Sequence, residues 1–256
     1  MRVIKSFLIA VSMYSKIPVP QFDWKEEDMK YVFCFFPWVG ALIGGGVYLW
    51  NLLCDRMQIG ILCRTVMDGV IPLLITGGFH VDGFMDTMDA IRSYSSKERR
   101  LEILKDSHIG AFAVIEFAIY GCLFLGAFSE IRQEPLLKVV CCGFFLSRCL
   151  SGISAVSFPL AKKDGTLFLF ADNSHRRIVK GSLYVQSALC TGLILLWLLP
   201  AGAVIVGAAF LAFGFYFYQS KKVFGGITGD TAGYFVLLCE GCMVVAAAVC
   251  EILGAC

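Results

Sequence analysis

The sequence predicts an all-α polytopic integral membrane protein, a helical bundle of about seven transmembrane helices forming a single domain over residues 1–256. Three observations carry this reading. Hydrophobic residues make up 58% of the chain and the mean hydropathy is +0.74, well above a soluble domain. Apolar runs close to the ~20 residues that a bilayer core requires recur along the chain. The charged residues, 16% of the total, gather in a few stretches between those runs.

Met1 to Lys30 reads as an amphipathic start lying on the membrane, with a turn at Pro18 and Pro20 and an acidic-basic patch from Asp23 to Lys30. Its apolar run, Val3 to Val11, is short and carries Lys5, so no cleavable signal pattern is expected. Spans are expected at Tyr31–Cys54, Ile59–Phe79, Ile109–Phe128, Leu136–Phe158, Leu183–Leu199, Ala201–Tyr218 and Ala232–Leu253. Pro200 and Gly202 leave room only for a very tight hairpin between the fifth and sixth. Lys and Arg crowd the loops of one side, from Arg2 to Lys30, Arg92 to Lys105, Lys162 to Lys180 and Lys221 to Lys222, whereas Arg56, Arg132 and Lys138 fall on the other. The positive-inside rule then places the N-terminus and the polar motifs in the cytoplasm.

Composition also excludes. A net charge of +2 argues against nucleic acid as the main partner. Most of the twelve cysteines lie inside apolar runs, where a free thiol behaves as a small hydrophobe. The lone Cys-x-x-Cys, Cys239 to Cys242, has no second pair and is not read as a metal site. Within the spans, Arg64 and Asp68 are four apart and are expected to pair with each other. Glu116, Arg148 and Glu240 lack a local partner, and since a charge in a bilayer costs at least about 2.5 kcal/mol each should face the bundle interior. Arg148, near Ser147, Ser151 and Gly152, is the best placed of them to hold a phosphate.

Chemistry concentrates in three polar motifs. Thr76-Gly77-Gly78-Phe79-His80-Val81-Asp82-Gly83-Phe84-Met85-Asp86-Thr87-Met88-Asp89 places three carboxylates at i, i+4 and i+7, within roughly 60° of one helix face at about 100° per residue. Such a row is self-repelling, and a hard divalent cation among the carboxylates makes sense of it. His80 lies off that face and is a candidate for phosphate, metal or a loop cap. Beyond a capping-box pattern at Ser95 to Glu98, expected to open a short helix from Lys97 to Leu104, comes Lys105-Asp106-Ser107-His108-Ile109-Gly110. The third motif, Phe224-Gly225-Gly226-Ile227-Thr228-Gly229-Asp230-Thr231, joins glycines to a helix start, where unpaired N–H groups and the dipole suit a phosphate, with Asp230 read either as the N-cap or as a carboxylate for a bridging Mg²⁺. Ala161 to Thr166 adds cations and a turn on the same side.

The segments Gly77 to Asp89, Lys105 to Gly110 and Gly225 to Asp230, in this order, together with Lys16-Ile17-Pro18-Val19-Pro20, resemble the cobalamin synthase family, also called adenosylcobinamide-GDP ribazoletransferases. The resemblance covers nearly the whole chain. It implies a prokaryotic plasma (inner) membrane enzyme of the last stage of vitamin B12 assembly, using Mg²⁺ to join adenosylcobinamide-GDP to α-ribazole or its 5′-phosphate with release of GMP. Two positions depart from the family pattern: Ala90 stands where Gly follows the last aspartate, and His108 stands where Arg follows Lys-Asp-Ser.

The site this implies has Asp82, Asp86 and Asp89 as Mg²⁺ ligands, one of them or Asp106 as base, and Lys105 and Arg148 as phosphate clamps. His80, Gly225, Gly226, Thr228 and Asp230 complete the expected substrate wall. The acidic row also resembles that of CDP-alcohol phosphotransferases, but Phe84 and Met85 stand where that class has Ala-Arg. A cation-coupled transporter would need the acidic row within a span rather than at its edge. Expected partners are the two small-molecule substrates and the lipid bilayer, with a homo-oligomer left open.

Overall fold

The computed structural model describes residues 2–20, 25–106, 108–162 and 164–255; Asp23, Ser107 and Lys163, each within a polar stretch singled out above, lie outside the described residues. Among the described residues the regular secondary structure is helical, joined by turns and loops, apart from an isolated bridge between Leu160 and Ile227. In order the helices are α1 Arg2–Tyr14, α2 Glu26–Met29, α3 Val32–Met57, α4 Ile61–Thr76, α5 Phe79–Arg92 and α6 Lys97–Ile103. Then come α7 Ala111–Ser129, α8 Glu134–Ser157, α9 Thr166–Asn173, α10 Arg176–Trp197, α11 Ala201–Phe224 and α12 Gly229–Ile252.

Six of these, α3, α7, α8, α10, α11 and α12, are long and apolar enough to cross a membrane. The crossing expected at Ile59–Phe79 is α4, which stops at Thr76; Gly77 and Gly78 take left-handed φ values of 65° and 79°, and α5 leaves at 97° to α4. α5 therefore runs across the end of the bundle, from the start of α12 to the start of α7. The other spans agree with expectation to within a few residues except at basic ends. α10 begins at Arg176 rather than Leu183, and α11 runs through Lys221 and Lys222 to Phe224, because long cationic side chains reach water while their backbone stays helical. The tight hairpin at Pro200 is present, with the Gly202 N–H donating to the Leu198 carbonyl at 2.7 Å.

α8 is the central post, buried along most of its length from Leu136 to Val156. α3 lies directly on it because Gly40 and Gly44 face the backbone of Phe144 and Cys141, where a Cβ would strike the carbonyl oxygens. Intramembrane charges find partners that sequence distance hides. Arg148 of α8 is 1% exposed, and its Nη1 donates to Glu240 Oε1 of α12 at 2.5 Å, with the Ser147 hydroxyl donating to the same oxygen at 3.0 Å. Glu116 pairs with Arg92 at the end of α5, Nε to Oε1 2.6 Å. The expected direct Arg64–Asp68 pair is replaced: Arg64 donates to Asp55 and to Asn51 Oδ1, and Asn51 Nδ2 donates to Asp68 at 2.6 Å. An amide inserted between the two charges satisfies both, and only the fold could reveal it.

Candidate active site

The two glycine-containing motifs meet where α5 crosses the start of α12. A Cβ at Gly83 would lie 2.7 Å from the Asp230 carbonyl oxygen and 2.9 Å from its Cα. Glycine at 83 is therefore what lets the acidic row approach the third motif. α5 holds its angle because Phe84 stacks on Tyr234, centroids 5.6 Å apart, and packs on Tyr120 at 5.2 Å.

The junction walls one side of a polar cavity of about 260 Å³. Asp82 and Gly83 come from α5, Lys105 from the end of the α6 segment, Lys162 and Asp164 from the turn before α9, and Thr228, Gly229 and Asp230 from the start of α12. Thr228, not Asp230, is the N-cap of α12: its hydroxyl accepts the Thr231 N–H at 3.2 Å, while the Thr231 hydroxyl accepts the Thr228 N–H at 2.8 Å. This reciprocal cap leaves the Asp230 carboxylate to the cavity. Thr wins the position because its residue has the extended backbone a cap requires.

Electrostatics in the cavity are doubly frustrated. Burial, then Asp82, Asp230 and Asp89, push the Asp86 carboxyl up to about 7. In the same cavity, burial and then the Lys105 ammonium push Lys162 below its usual range. Asp82, Asp164 and Asp230 thus share one cavity with Lys105 and Lys162, Asp86 lies close enough to feel the carboxylates, and a ligand carrying both a cation and a polyanion relieves the like-charge repulsion that the Lys105–Asp164 pair leaves. Partial relief is already present. Lys105 Nζ meets Asp164 Oδ2 at 3.1 Å, and Lys162 Nζ donates to the Leu101 carbonyl at 2.7 Å.

Several expected site residues lie elsewhere. Asp89 accepts the Gly110 and Ala113 N–H groups, at 2.5 and 2.9 Å, and so caps α7 in this structure. Asp106 accepts the His108 N–H at 3.0 Å and contacts its ring at 2.7 Å, which holds Asp106 below the usual carboxylate range. It stands outside the cavity wall, in a local turn. Arg148 is paired with Glu240 in the bundle interior and is not among the residues lining this cavity. Gly225 ends α11 with φ 77°, its missing Cβ making way for the Lys97 side chain. Gly226 lies against residues 159–161, where a Cβ would be 2.6 Å from both the Pro159 oxygen and the Ala161 nitrogen. Both glycines serve the chain path, whereas Gly229, where a Cβ would meet nothing within 4 Å, borders the cavity. His80 is buried beside Phe36 and Phe79, off the acidic face.

Asp164, Thr166 and Phe79 join the wall without having been singled out as site residues. The turn at Lys162 to Thr166 was the signal for two of them; the Lys105–Asp164 pairing, 59 residues apart, has none.

As for Mg²⁺, the donors that converge are hard carboxylate oxygens. Among the described residues no three His, Cys, Asp or Glu side chains make a ready cage for an ion. Such an open half-site fits an ion that keeps waters and takes substrate phosphate oxygens, as Mg²⁺ does.

Comparison with known proteins gives a consistent picture. The family model described as cobalamin-5-phosphate synthase matches residues 6–248. A protein of Lachnoclostridium phytofermentans named adenosylcobinamide-GDP ribazoletransferase is 42% identical over 242 residues, covering 94% of this chain and 92% of that protein. Proteins of the same name from Clostridium perfringens (strain ATCC 13124) and Clostridium botulinum (strain Alaska E43) are 30% and 32% identical, each covering 92% of this chain and 94% of their own length. No solved structure matches the chain.

Proposed function

The chain belongs to the cobalamin-5-phosphate synthase family, and from that premise we propose how its polar cavity carries the reaction. The protein is a multi-pass membrane transferase of last-stage cobalamin synthesis. Its reaction joins the adenosylcobinamide phosphate of adenosylcobinamide-GDP to α-ribazole, or to its 5′-phosphate, and releases GMP.

The observation that supports the cavity as the site is the meeting of Asp82 with Asp230 across Gly83, with Asp86 close behind and with Lys105 and Lys162 in the same lining. Asp82, Asp86 and Asp230 would hold Mg²⁺, with Asp89 second to its capping role. When bound, Mg²⁺ neutralises pyrophosphate charge and makes GMP a better leaving group. Lys105 and Lys162 draw the pyrophosphate into the cavity and oppose the negative charge that builds as the P–O bond to GMP breaks. The open Gly229 position lets a phosphate oxygen approach the start of α12, where backbone N–H groups and the dipole favour an anion. A carboxylate oxygen of Asp82 or Asp230 that the cation does not take accepts the proton of the attacking hydroxyl. No protein nucleophile is needed.

The cavity faces the cytoplasm in this proposal, supported by the excess of Lys and Arg at that end of the bundle. Purified protein given adenosylcobinamide-GDP, α-ribazole and Mg²⁺ is expected to yield the cobalamin product by mass detection and GMP in equal amount. Phospholipid formed from CDP-diacylglycerol and an alcohol, with no cobalamin, would move the assignment to the CDP-alcohol class. A cysteine placed at Ser95, with other exposed cysteines removed, is expected to escape impermeant maleimide in intact cells; labelling there would reverse the orientation.

A further inference from the structure

Beside the polar cavity lies a smaller one of about 60 Å³, lined by α1, α3, α5, α8, α9 and the start of α12. The two share Phe79, Thr166, Leu167 and Gly229 in their walls, so they adjoin each other at Phe79. Phe79 is 48% exposed and stands at the junction. Beyond it the lining sets the rings of Tyr14, Phe33, Phe36 and His80 among small and aliphatic side chains and the Ser151 hydroxyl. Tyr14 packs on Phe36 at 4.3 Å between centroids and on Phe79 at 6.0 Å, and His80 meets Phe36 at 5.9 Å and Phe79 at 5.6 Å.

His80, which also borders a second cavity with Arg148 and Glu240, is a buried ionisable side chain of that lining with nothing to bond. It is 4% exposed, and neither Nδ1 nor Nε2 has a hydrogen-bond partner. Burying both imidazole nitrogens unpaired is unfavourable, and the fold has not spent a neighbour on either. Gly233 is shaped to accept this placement, since a Cβ there would press on the His80 backbone at 3.2 Å. Packing alone would be served better by Leu or Phe at position 80.

Resting on the transferase reading above, we infer that this aromatic recess is the subsite for the flat heteroaromatic base of the acceptor nucleoside, with His80 hydrogen-bonded to a ring nitrogen of the base. A benzimidazole presents two apolar faces, which suit Tyr14, Phe36 and Phe79, and one unsubstituted ring nitrogen at its edge, which suits an imidazole N–H. The ribose then extends past Phe79 into the polar cavity, placing its hydroxyls near Asp82 and Asp230. Phe79 swings aside to admit the ring, because the recess alone is smaller than one bicycle. The subsite also separates the two substrates: the acceptor is read in the recess and the pyrophosphate donor in the polar cavity.

Two variants and two measurements test this. His80→Leu keeps the volume and removes the polar atoms, while His80→Asn keeps a donor and an acceptor. His80→Leu is expected to raise the KM for α-ribazole by about tenfold or more, the worth of one buried hydrogen bond. The KM for adenosylcobinamide-GDP and the melting temperature should hold or, for the latter, rise. His80→Asn should recover part of the loss. Independently of turnover, tritiated 5,6-dimethylbenzimidazole should bind wild-type protein in lipid nanodiscs saturably, in competition with α-ribazole, and bind His80→Leu more weakly. Equal base binding by the two proteins overturns the subsite, as does no saturable binding to a wild type that turns over. So does a rise in both KM values together with a lowered melting temperature. Base binding without turnover of adenosylcobinamide-GDP sinks the transferase reading instead and leaves the subsite standing.

Discussion

Two charge clusters in this protein look alike in sequence and differ in structure. In the bundle interior, Arg148 and Glu240 oppose each other at 2.5 Å with Ser147 completing the set, one cation to one anion. At the end of the bundle, Asp82 and Asp230 line a cavity together with Lys105, Lys162 and Asp164, and Asp86 lies close enough to feel the other aspartates. The first cluster is matched in charge and buried, with Arg148 Nε left without a partner; the second crowds several like charges, which its Lys105–Asp164 pair does not balance, around an open cavity. A matched pair serves the fold first, because its charges already neutralise each other. A crowded cluster stores unfavourable interactions that a metal-bound pyrophosphate relieves.

The sharpest test of this contrast is Asp→Asn in the open cluster. Asp82→Asn and Asp86→Asn are each expected to lower turnover by several orders of magnitude, on the order of what metal and positioning supply in phosphoryl-type transfer. Thermal stability without divalent cation should hold or rise, since a repelling carboxylate is gone, while the stabilisation by Mg²⁺ should shrink. Asp89→Asn should behave differently and lose melting temperature as well, because Asp89 caps α7. Near-normal turnover with full Mg²⁺ stabilisation in any of the three removes that residue from the site.

In the matched cluster the expectation inverts. Arg148→Met leaves Glu240 buried without its cation and should destabilise the protein by about 3–5 kcal/mol, with Arg148→Met/Glu240→Met recovering most of that. Activity per folded molecule should be unchanged. If the double variant folds but no longer binds adenosylcobinamide-GDP, Arg148 holds phosphate and the comparison collapses.

The glycines of the third motif divide along the same line. Gly226→Ala forces a Cβ to 2.6 Å from the Pro159 oxygen, so both substrate affinities should fall together with the melting temperature, by about 1–3 kcal/mol as for other overpacked sites. Gly229→Ala has space, so it should fold normally and weaken adenosylcobinamide-GDP alone. Equal affinity loss and equal melting loss in both variants would make the loop a helix start and nothing more.

Much of this architecture was legible in the sequence because it is written in local patterns. Span positions follow from runs of apolar residues, the start of α6 from Ser96, and the acidic row from a spacing that one helix face imposes. What was not legible is tertiary pairing. Arg148 reads as an unpartnered cation because Glu240 lies 92 residues away, and Arg64 and Asp68 read as partners because Asn51 is on another helix. Gly225 and Gly226 resemble a phosphate loop because glycine looks the same whether it admits a ligand or a neighbouring chain segment. Asp230 reads as a cap because Thr228 is two residues earlier and equally able.

The smallest expected effect concerns protons. Asp86 is pushed from the usual carboxylate value of 3.8 up to about 7 in the folded protein, first by burial and then by Asp82, Asp230 and Asp89. In the unfolded chain it titrates near the usual value, so between about pH 4 and 7 the folded state holds a proton that the unfolded state has released. Folded stability without divalent cation therefore falls as pH rises through that window, and the penalty is fully present above 7. Asp86→Asn removes the group and should flatten the slope, with a melting temperature equal to wild type near pH 4 and higher at pH 8. Divalent cation should cancel the difference at pH 8, because it favours the ionised carboxylate. Turnover of the wild type should climb through pH 7 for the same reason. A wild-type stability profile that matches Asp86→Asn from pH 4 to 8 would show that the carboxylates are not crowded, and the open cluster would lose the stored repulsion that distinguishes it from the closed one.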